Sequence, residues 1–236
     1  MAVSPVLSQE ELSALSQFNT CMIANAIETF HVRLRNAGFT DGSIKCMFPD
    51  FPPMVGYAFT ARLRGGEPPI GGGTFHDRAD LWNRILEAPS PRILVLQDMD
   101  HPPGRGALVG DMHAAILKAL GCIGYVTNGA VRELESVNQM GFHLFAGNVV
   151  VSHAYAHIFE VGSPLVIGGM DVRPGDLLHA DQHGILTIPA EIAAEVPGVA
   201  ARLQQEEQKV IGLCRSGNFS VSKLSDVMKN RFKETL

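Results

Sequence analysis

The 236-residue sequence has little charge and few aromatic side chains. Asp, Glu, Lys and Arg make up 18% of it and Phe, Trp and Tyr 7%, so the core is expected to consist of Val, Ile, Leu and Ala. A net charge of -5 leaves no basic surplus, which argues against nucleic acid as the main partner. The four cysteines, Cys21, Cys46, Cys122 and Cys214, are scattered and form no C-x-x-C pair. They read as reduced, mostly buried thiols of a cytoplasmic protein. Met1 to Pro5 lacks the basic and apolar regions of a signal peptide. The stretch Ser136 to Phe159 carries no Asp, Glu, Lys or Arg, but Asn138, Gln139, His143, Asn148, His153 and His157 make it too polar to span a membrane. There is no H-E-x-x-H and no G-x-S-x-G, and the glycine-rich run Gly65 to Gly73 lacks the Gly-Lys-Ser/Thr end of a phosphate loop. That run reads as a surface loop or lid.

What is present is an apolar fraction of 46%, ordinary for a folded domain. Ser8-Gln9-Glu10-Glu11 fits a capping box and predicts a first helix; a second should run from Asn19-Thr20 to about Phe30. Pro49, Pro52 and Pro53 mark a loop, Tyr57 to Arg64 a strand, and His76 to Ala88 a helix. Arg92 to Gln97 reads as a buried strand, followed by a polar loop from Asp98 to Gly110. A helix then covers Asp111 to Leu120 and ends at Gly121. Gly124 to Thr127 is a short strand, Asn128-Gly129 a turn, and Val131 to Met140 a helix. Short strands follow at 144–146, 149–151, 164–167, 177–178 and 184–188, with a turn at Pro174-Gly175-Asp176. A last long helix is expected from Ala190 to Cys214, with a short one from Val221. The alternation predicts an α/β fold.

Two constellations bear on chemistry. Asp111 opens a predicted helix after Gly104, Gly106 and Gly110, where exposed N–H groups suit a carboxylate or phosphate and a nearby acid suits a metal. Arg132-Glu133 follows a short strand and should lie at the C-terminal edge of the sheet, where ligands collect. The bland alternative is a helix N-cap at Asp111 and a surface ion pair at Arg132-Glu133. The second constellation is histidine. His153 and His157 have metal spacing only on a helix, and His179, Asp181 and His183 share a face only on a strand. Structural or interface histidines are the alternative.

From Gly110 to Pro189 the sequence resembles the RraA-like family, which includes the RNase E activity regulator and the 4-hydroxy-4-methyl-2-oxoglutarate aldolases. The resemblance is carried by Gly110-Asp111, Gly121, Gly124, Asn128-Gly129-Ala130-Val131-Arg132-Glu133, Gly168-Gly169, Val172-Arg173-Pro174-Gly175-Asp176 and Ala180-Asp181-x-x-Gly184, with weaker matches at Thr20 to Ala26 and Val55 to Ala61. It implies one RraA-like domain over 1–236, with a core at about 20–190 and a helical extension at 190–236. It implies a three-layer α/β/β/α swivelling-type fold with a mixed sheet and N- and C-terminal helices. It also implies a homotrimer or homohexamer with active sites between subunits.

The activity implied is a divalent-metal lyase, using Mg²⁺ or Mn²⁺, that cleaves a small 4-hydroxy-2-oxo acid to pyruvate and can decarboxylate oxaloacetate. Arg132 and Asp111 would be catalytic. Gly110, Met112, His113 and Arg132 would bind the substrate, and Glu133 with Asp111 would hold the metal. In a variant of this reading, His113, His153 or His183 helps hold the substrate. The other activity the family offers is that of a non-catalytic, protein-binding regulator. The chain departs from the family pattern at Glu133, where Asp is usual, at Ser136, where a further acid is common, and at Asn25, which replaces an acid. The extra methylene of Glu133 displaces its carboxylate by about 1.5 Å.

Overall fold

The computed structural model describes residues 6–70 and 78–233. In chain order these form α1 (Gln9–Ser16), α2 (Thr20–Glu28), β1 (Lys45–Cys46), β2 (Met54–Arg64), α3 (Arg78–Glu87), β3 (Arg92–Asp98), β4 (Ala107–Val109), α4 (Asp111–Ala119) and β5 (Cys122–Val131). There follow α5 (Leu134–Gln139), β6 (His143–Val149), β7 (His157–Val161), β8 (Leu165–Ile167), β9 (Met170–Val172), β10 (Leu177–Asp181), β11 (Gly184–Ile188), α6 (Val196–Arg215) and α7 (Val221–Lys233). Strands β1-β6-β5-β3-β2-β10-β11 lie side by side, with β4 beside β5 and β7 beside β2. The central pairs β2–β3, β3–β5 and β5–β6 are parallel, whereas β1, β7, β10 and β11 run antiparallel to their neighbours. The sheet is therefore mixed, with β8 and β9 forming a separate hairpin.

Side chains alternate across the sheet and sort into layers. Leu94 and Leu96 of β3 pack with Ile85 of α3, Leu117 of α4 and Val137 of α5. Ile93 and Val95 face the other way, onto Leu165, Ile167, Met170 and Val172 of the β8–β9 hairpin. A third cluster seats Leu15 of α1, Ile23 and Ile27 of α2, and Val196 and Ala200 of α6 on Leu177, Leu186 and Ile188 of β10 and β11. The order helix, sheet, strand pairs, helix matches the fold expected from the resemblance.

Local signals explain most element boundaries. Ser8 caps α1 in a capping box with Glu11, and Asn19 caps α2 through Met22 N–H. Several expectations need correction. Asn128-Gly129 is not a turn: β5 runs through it, and its pairing with β6 shifts register between Thr127 and Ala130 to absorb the pair. Glycine is needed at 129 because a Cβ there would lie 2.8 Å from the Asp98 carboxylate and 3.2 Å from Thr127 Oγ1. The following helix begins only at Leu134, after Glu133 turns the backbone left-handed with φ 55°. The loop expected from Asp98 to Gly110 contains β4, and His153 to His157 is not helical, since His157 opens β7. The long C-terminal helix begins at Val196, with a proline in its first turn, rather than at Ala190.

Of the cysteines, only Cys122 is fully buried, and Cys21 and Cys214 are exposed. The expected signal-peptide-free Met1 to Pro5, residues 71–73 of the expected lid and residues 76–77 of the expected helix lie outside the described residues. Among the described residues no helix is long and apolar enough to cross a membrane.

Candidate functional site

The site is built where two parallel strands end together. β4 pairs with β5 so that Val109 lies opposite Val131, which places Gly110-Asp111 beside Arg132-Glu133. Arg132 N–H donates to the Val109 carbonyl at 3.1 Å and locks the two chain segments at this edge. α4 starts at Asp111 with Gly110 as its N-cap, so its unpaired N–H groups open toward the same place. Gly110 has extended backbone, and the space a Cβ would fill is occupied by the Glu133 carboxylate and Arg132 Cγ.

The polar contacts are short and interlocked. Glu133 Oε2 accepts from Asp111 N–H at 3.0 Å, and Glu133 Oε1 pairs with Arg132 Nη2. Asp111 Oδ1 accepts from Met112 N–H at 2.6 Å. The Arg132 hydrogen bond, then the Asp111 N–H, hold the Glu133 carboxyl below its ordinary pKa, so it is ionised at neutral pH. Arg132 Nε is buried and has no hydrogen-bond partner among the described residues. An unpaired buried guanidinium N–H is costly unless an acceptor reaches it, and a ligand carboxylate or enolate oxygen is a suitable acceptor.

Two carboxylates, Asp111 and Glu133, interact at the mouth of α4. As donors they fit a hard cation that keeps most of its waters, such as Mg²⁺. No group of three or more His, Cys, Asp and Glu capable of holding a metal occurs among the described residues. Met112 is exposed, and the His113 ring lies edge-on to His153 at 6.0 Å. The His153 Nδ1 lies 2.5 Å from the Ala107 carbonyl, which can only accept, so the proton is on Nδ1 and Nε2 is left for other contacts.

The structure thus brings together Gly110, Asp111, Met112, Arg132 and Glu133, with His113 and His153 alongside. It separates His179 and His183 from them. His179 is buried, with Nδ1 3.0 Å from Thr20 Oγ1 and Nε2 3.3 Å from the Leu15 carbonyl. Burial pushes its pKa down to about 4, so it is a neutral, structural histidine joining α1 and α2 to β10. Asp181 accepts from Thr20 N–H and His183 N–H, both at 2.8 Å. His183 lines a cavity of about 330 Å³ beside α2, together with Cys21, Asn25, Arg33 and Phe39.

One residue escapes sequence reasoning. Asp98, 3% exposed, ends β3 beneath the site. Its carboxylate accepts from Asp100 N–H at 2.9 Å and Gly104 N–H at 2.7 Å, and it packs on Gly129. Asn128 clamps its backbone from β5 through Asp98 N–H and the Asp98 carbonyl. The same residue thereby anchors the loop that leads to Asp111 and the strand that leads to Arg132. The available signal was a lone acid closing an apolar strand.

The chain is similar to proteins of known family. The family described as RraA-like, Aldolase/RraA, matches residues 20–187. A protein of Halalkalibacterium halodurans named putative 4-hydroxy-4-methyl-2-oxoglutarate aldolase is 29% identical over 208 residues, covering 86% of this chain and 89% of the relative. The 4-hydroxy-4-methyl-2-oxoglutarate aldolase of Thermus thermophilus is 35% identical over 138 residues, covering 58% of this chain and 83% of its own. The crystal structure of Streptomyces coelicolor RraAS2, described as an unusual member of the RNase ES inhibitor RraA protein family, superposes with a TM-score of 0.67 at 21% identity, covering 86% of this chain and 96% of that one. That likeness establishes the shared fold. With the family match spanning well over half of its length, the chain belongs to the RraA-like family.

Proposed function

We propose that the protein is a divalent-cation-dependent lyase that splits the C3–C4 bond of a small 4-hydroxy-2-oxo acid and releases pyruvate. The observation that carries this reading is the grouping of Arg132, whose Nε has no partner among the described residues, with the Asp111 and Glu133 carboxylates at the mouth of α4. The names of the aldolase relatives support the same chemistry.

Asp111 and Glu133 would hold a Mg²⁺ or Mn²⁺ ion, which when bound polarises the 2-oxo group and its neighbouring carboxylate. The N–H groups of Met112 and His113 at the start of α4 would receive the substrate carboxylate, helped by the helix dipole and by the absence of a side chain at Gly110. Asp111 would draw the 4-hydroxyl proton away through water. As that proton leaves, the C3–C4 electron pair moves toward C2, the second fragment departs as a carbonyl compound, and Arg132 stabilises the negative oxygen of the pyruvate enolate. Protonation at C3 completes pyruvate. Oxaloacetate decarboxylation passes through the same enolate and should be a side activity.

The working form would be a cytoplasmic homotrimer or homohexamer with sites between subunits. Exposed apolar side chains near the site at Met112, Val149, Val151 and Tyr155 support that assembly. A second reading, a non-catalytic protein-binding regulator, is favoured by the way Glu133 already occupies Arg132. Assay of pyruvate release from hydroxy-oxo diacids and from oxaloacetate, with Mg²⁺ or Mn²⁺, separates the two: the lyase releases pyruvate and the regulator does not.

A further inference from the structure

Three groups suited to gripping an incoming carboxylate are already held by carboxylates of the chain itself. Glu133 spans two of them, taking Arg132 Nη2 on one oxygen and Asp111 N–H on the other. Asp111 takes the third, Met112 N–H. The reach of Glu133 depends on two local features. Its left-handed backbone, φ 55°, turns the side chain back over α4, and Gly110 presents no Cβ in the space its carboxylate fills.

We infer that Glu133 is a built-in competitor for the substrate anion: its carboxylate holds Asp111 N–H and Arg132 Nη2, two donors that an anionic ligand at this site would use, and such a ligand binds more tightly once Glu133 leaves. This rests on the reading that the substrate docks with its carboxylate at the start of α4 and its 2-oxo oxygen at Arg132. Two carboxylates cannot share one guanidinium and one helix N-terminus without repulsion, so the internal one lowers affinity for the external one. A divalent cation that draws Asp111 and Glu133 toward itself releases Arg132 and the N–H groups together. Cation and anion therefore bind with positive coupling, and the coupling is reciprocal.

The test is calorimetric titration of pyruvate into the full chain in EDTA, comparing the parent protein with Glu133→Gln and Glu133→Asp. Gln keeps the length and an acceptor oxygen for Asp111 N–H but loses the charge that holds Arg132. Asp keeps the charge on a stem one methylene shorter. The expected result is pyruvate binding about tenfold tighter to the Gln variant than to the parent, with the Asp variant between them. Equal affinity for all three proteins, or no detectable binding by either variant, overturns the inference. Absence of pyruvate release from hydroxy-oxo diacids alongside tighter binding by the variants would sink the lyase reading and leave this inference standing.

Discussion

Acidification should destabilise this protein through two histidines before its lowered carboxylates titrate. Burial pushes the pKa of both His143 and His179 down to about 4, against an ordinary value near 6.5. Between those values the unfolded chain binds a proton at each position and the folded chain does not. Stability therefore falls as pH drops below about 6.5 and stops falling, for these groups, near pH 4. At pH 5 each histidine has removed about 2 kcal/mol, so the pair removes roughly 4 kcal/mol of a total on the order of 5–15 kcal/mol. The lowered carboxylates, such as Asp181 and Glu133, contribute stability that is lost only as pH falls through the acid range beneath that window. Asp98 and Asp176, raised by burial, act in the opposite sense and offset part of the acid-side loss. Urea unfolding at pH 7.5 and pH 5.0 measures the effect. With a slope of roughly 3 kcal/mol per molar, the midpoint should drop by roughly 1 M. His143→Phe, which keeps an aromatic ring edge-on to Phe51, should remove about half of that drop. Midpoints at the two pH values agreeing to about 0.2 M would refute the assignment of these imidazoles as neutral in the fold.

Substitutions around the site test its geometry. Gly110→Ala should fold, since Gly110 has ordinary extended backbone, yet its methyl group would displace the Glu133 carboxylate and crowd Arg132 Cγ at 3.0 Å. Pyruvate release by this variant should fall at least about tenfold, with a melting temperature close to that of the parent. Asp98→Ala leaves the N–H groups of Asp100 and Gly104 without their acceptor and should cost about 2–3 kcal/mol, read as a melting temperature lower by roughly 4–12 °C.

Much of this fold was legible because its signals are local. The capping box at Ser8, the apolar run of β3 and the start of α4 at Asp111 each depend on residues close in sequence. The errors arose where distant residues decide. Asn128-Gly129 has the composition of a turn, but the close approach of Asp98 makes glycine necessary inside a strand. β4 is three residues long and exists because β5 extends far enough to pair with it. β7 carries His157 and Glu160, and its pairing with β2 rather than its composition makes it a strand. The juxtaposition of Asp111 with Arg132 was readable from the family resemblance, whereas its structural cause, the pairing of β4 with β5, was not. Nor was the grip of Glu133 on Asp111 N–H, because it needs a left-handed residue that sequence spacing does not reveal. The histidine pattern resolves to its structural reading: His179 and Asp181 share a face of β10, and that face is packed under α2.

The central claim is that Arg132 and a divalent cation together release pyruvate from a hydroxy-oxo acid. Its most direct test is pyruvate release from 4-hydroxy-4-methyl-2-oxoglutarate by the parent protein and by Arg132→Ala, each with Mg²⁺ and with EDTA. The account predicts release that needs the cation and falls by about 100-fold or more in the variant. No release by the parent with Mg²⁺ or Mn²⁺, or an unchanged rate in Arg132→Ala, would contradict it.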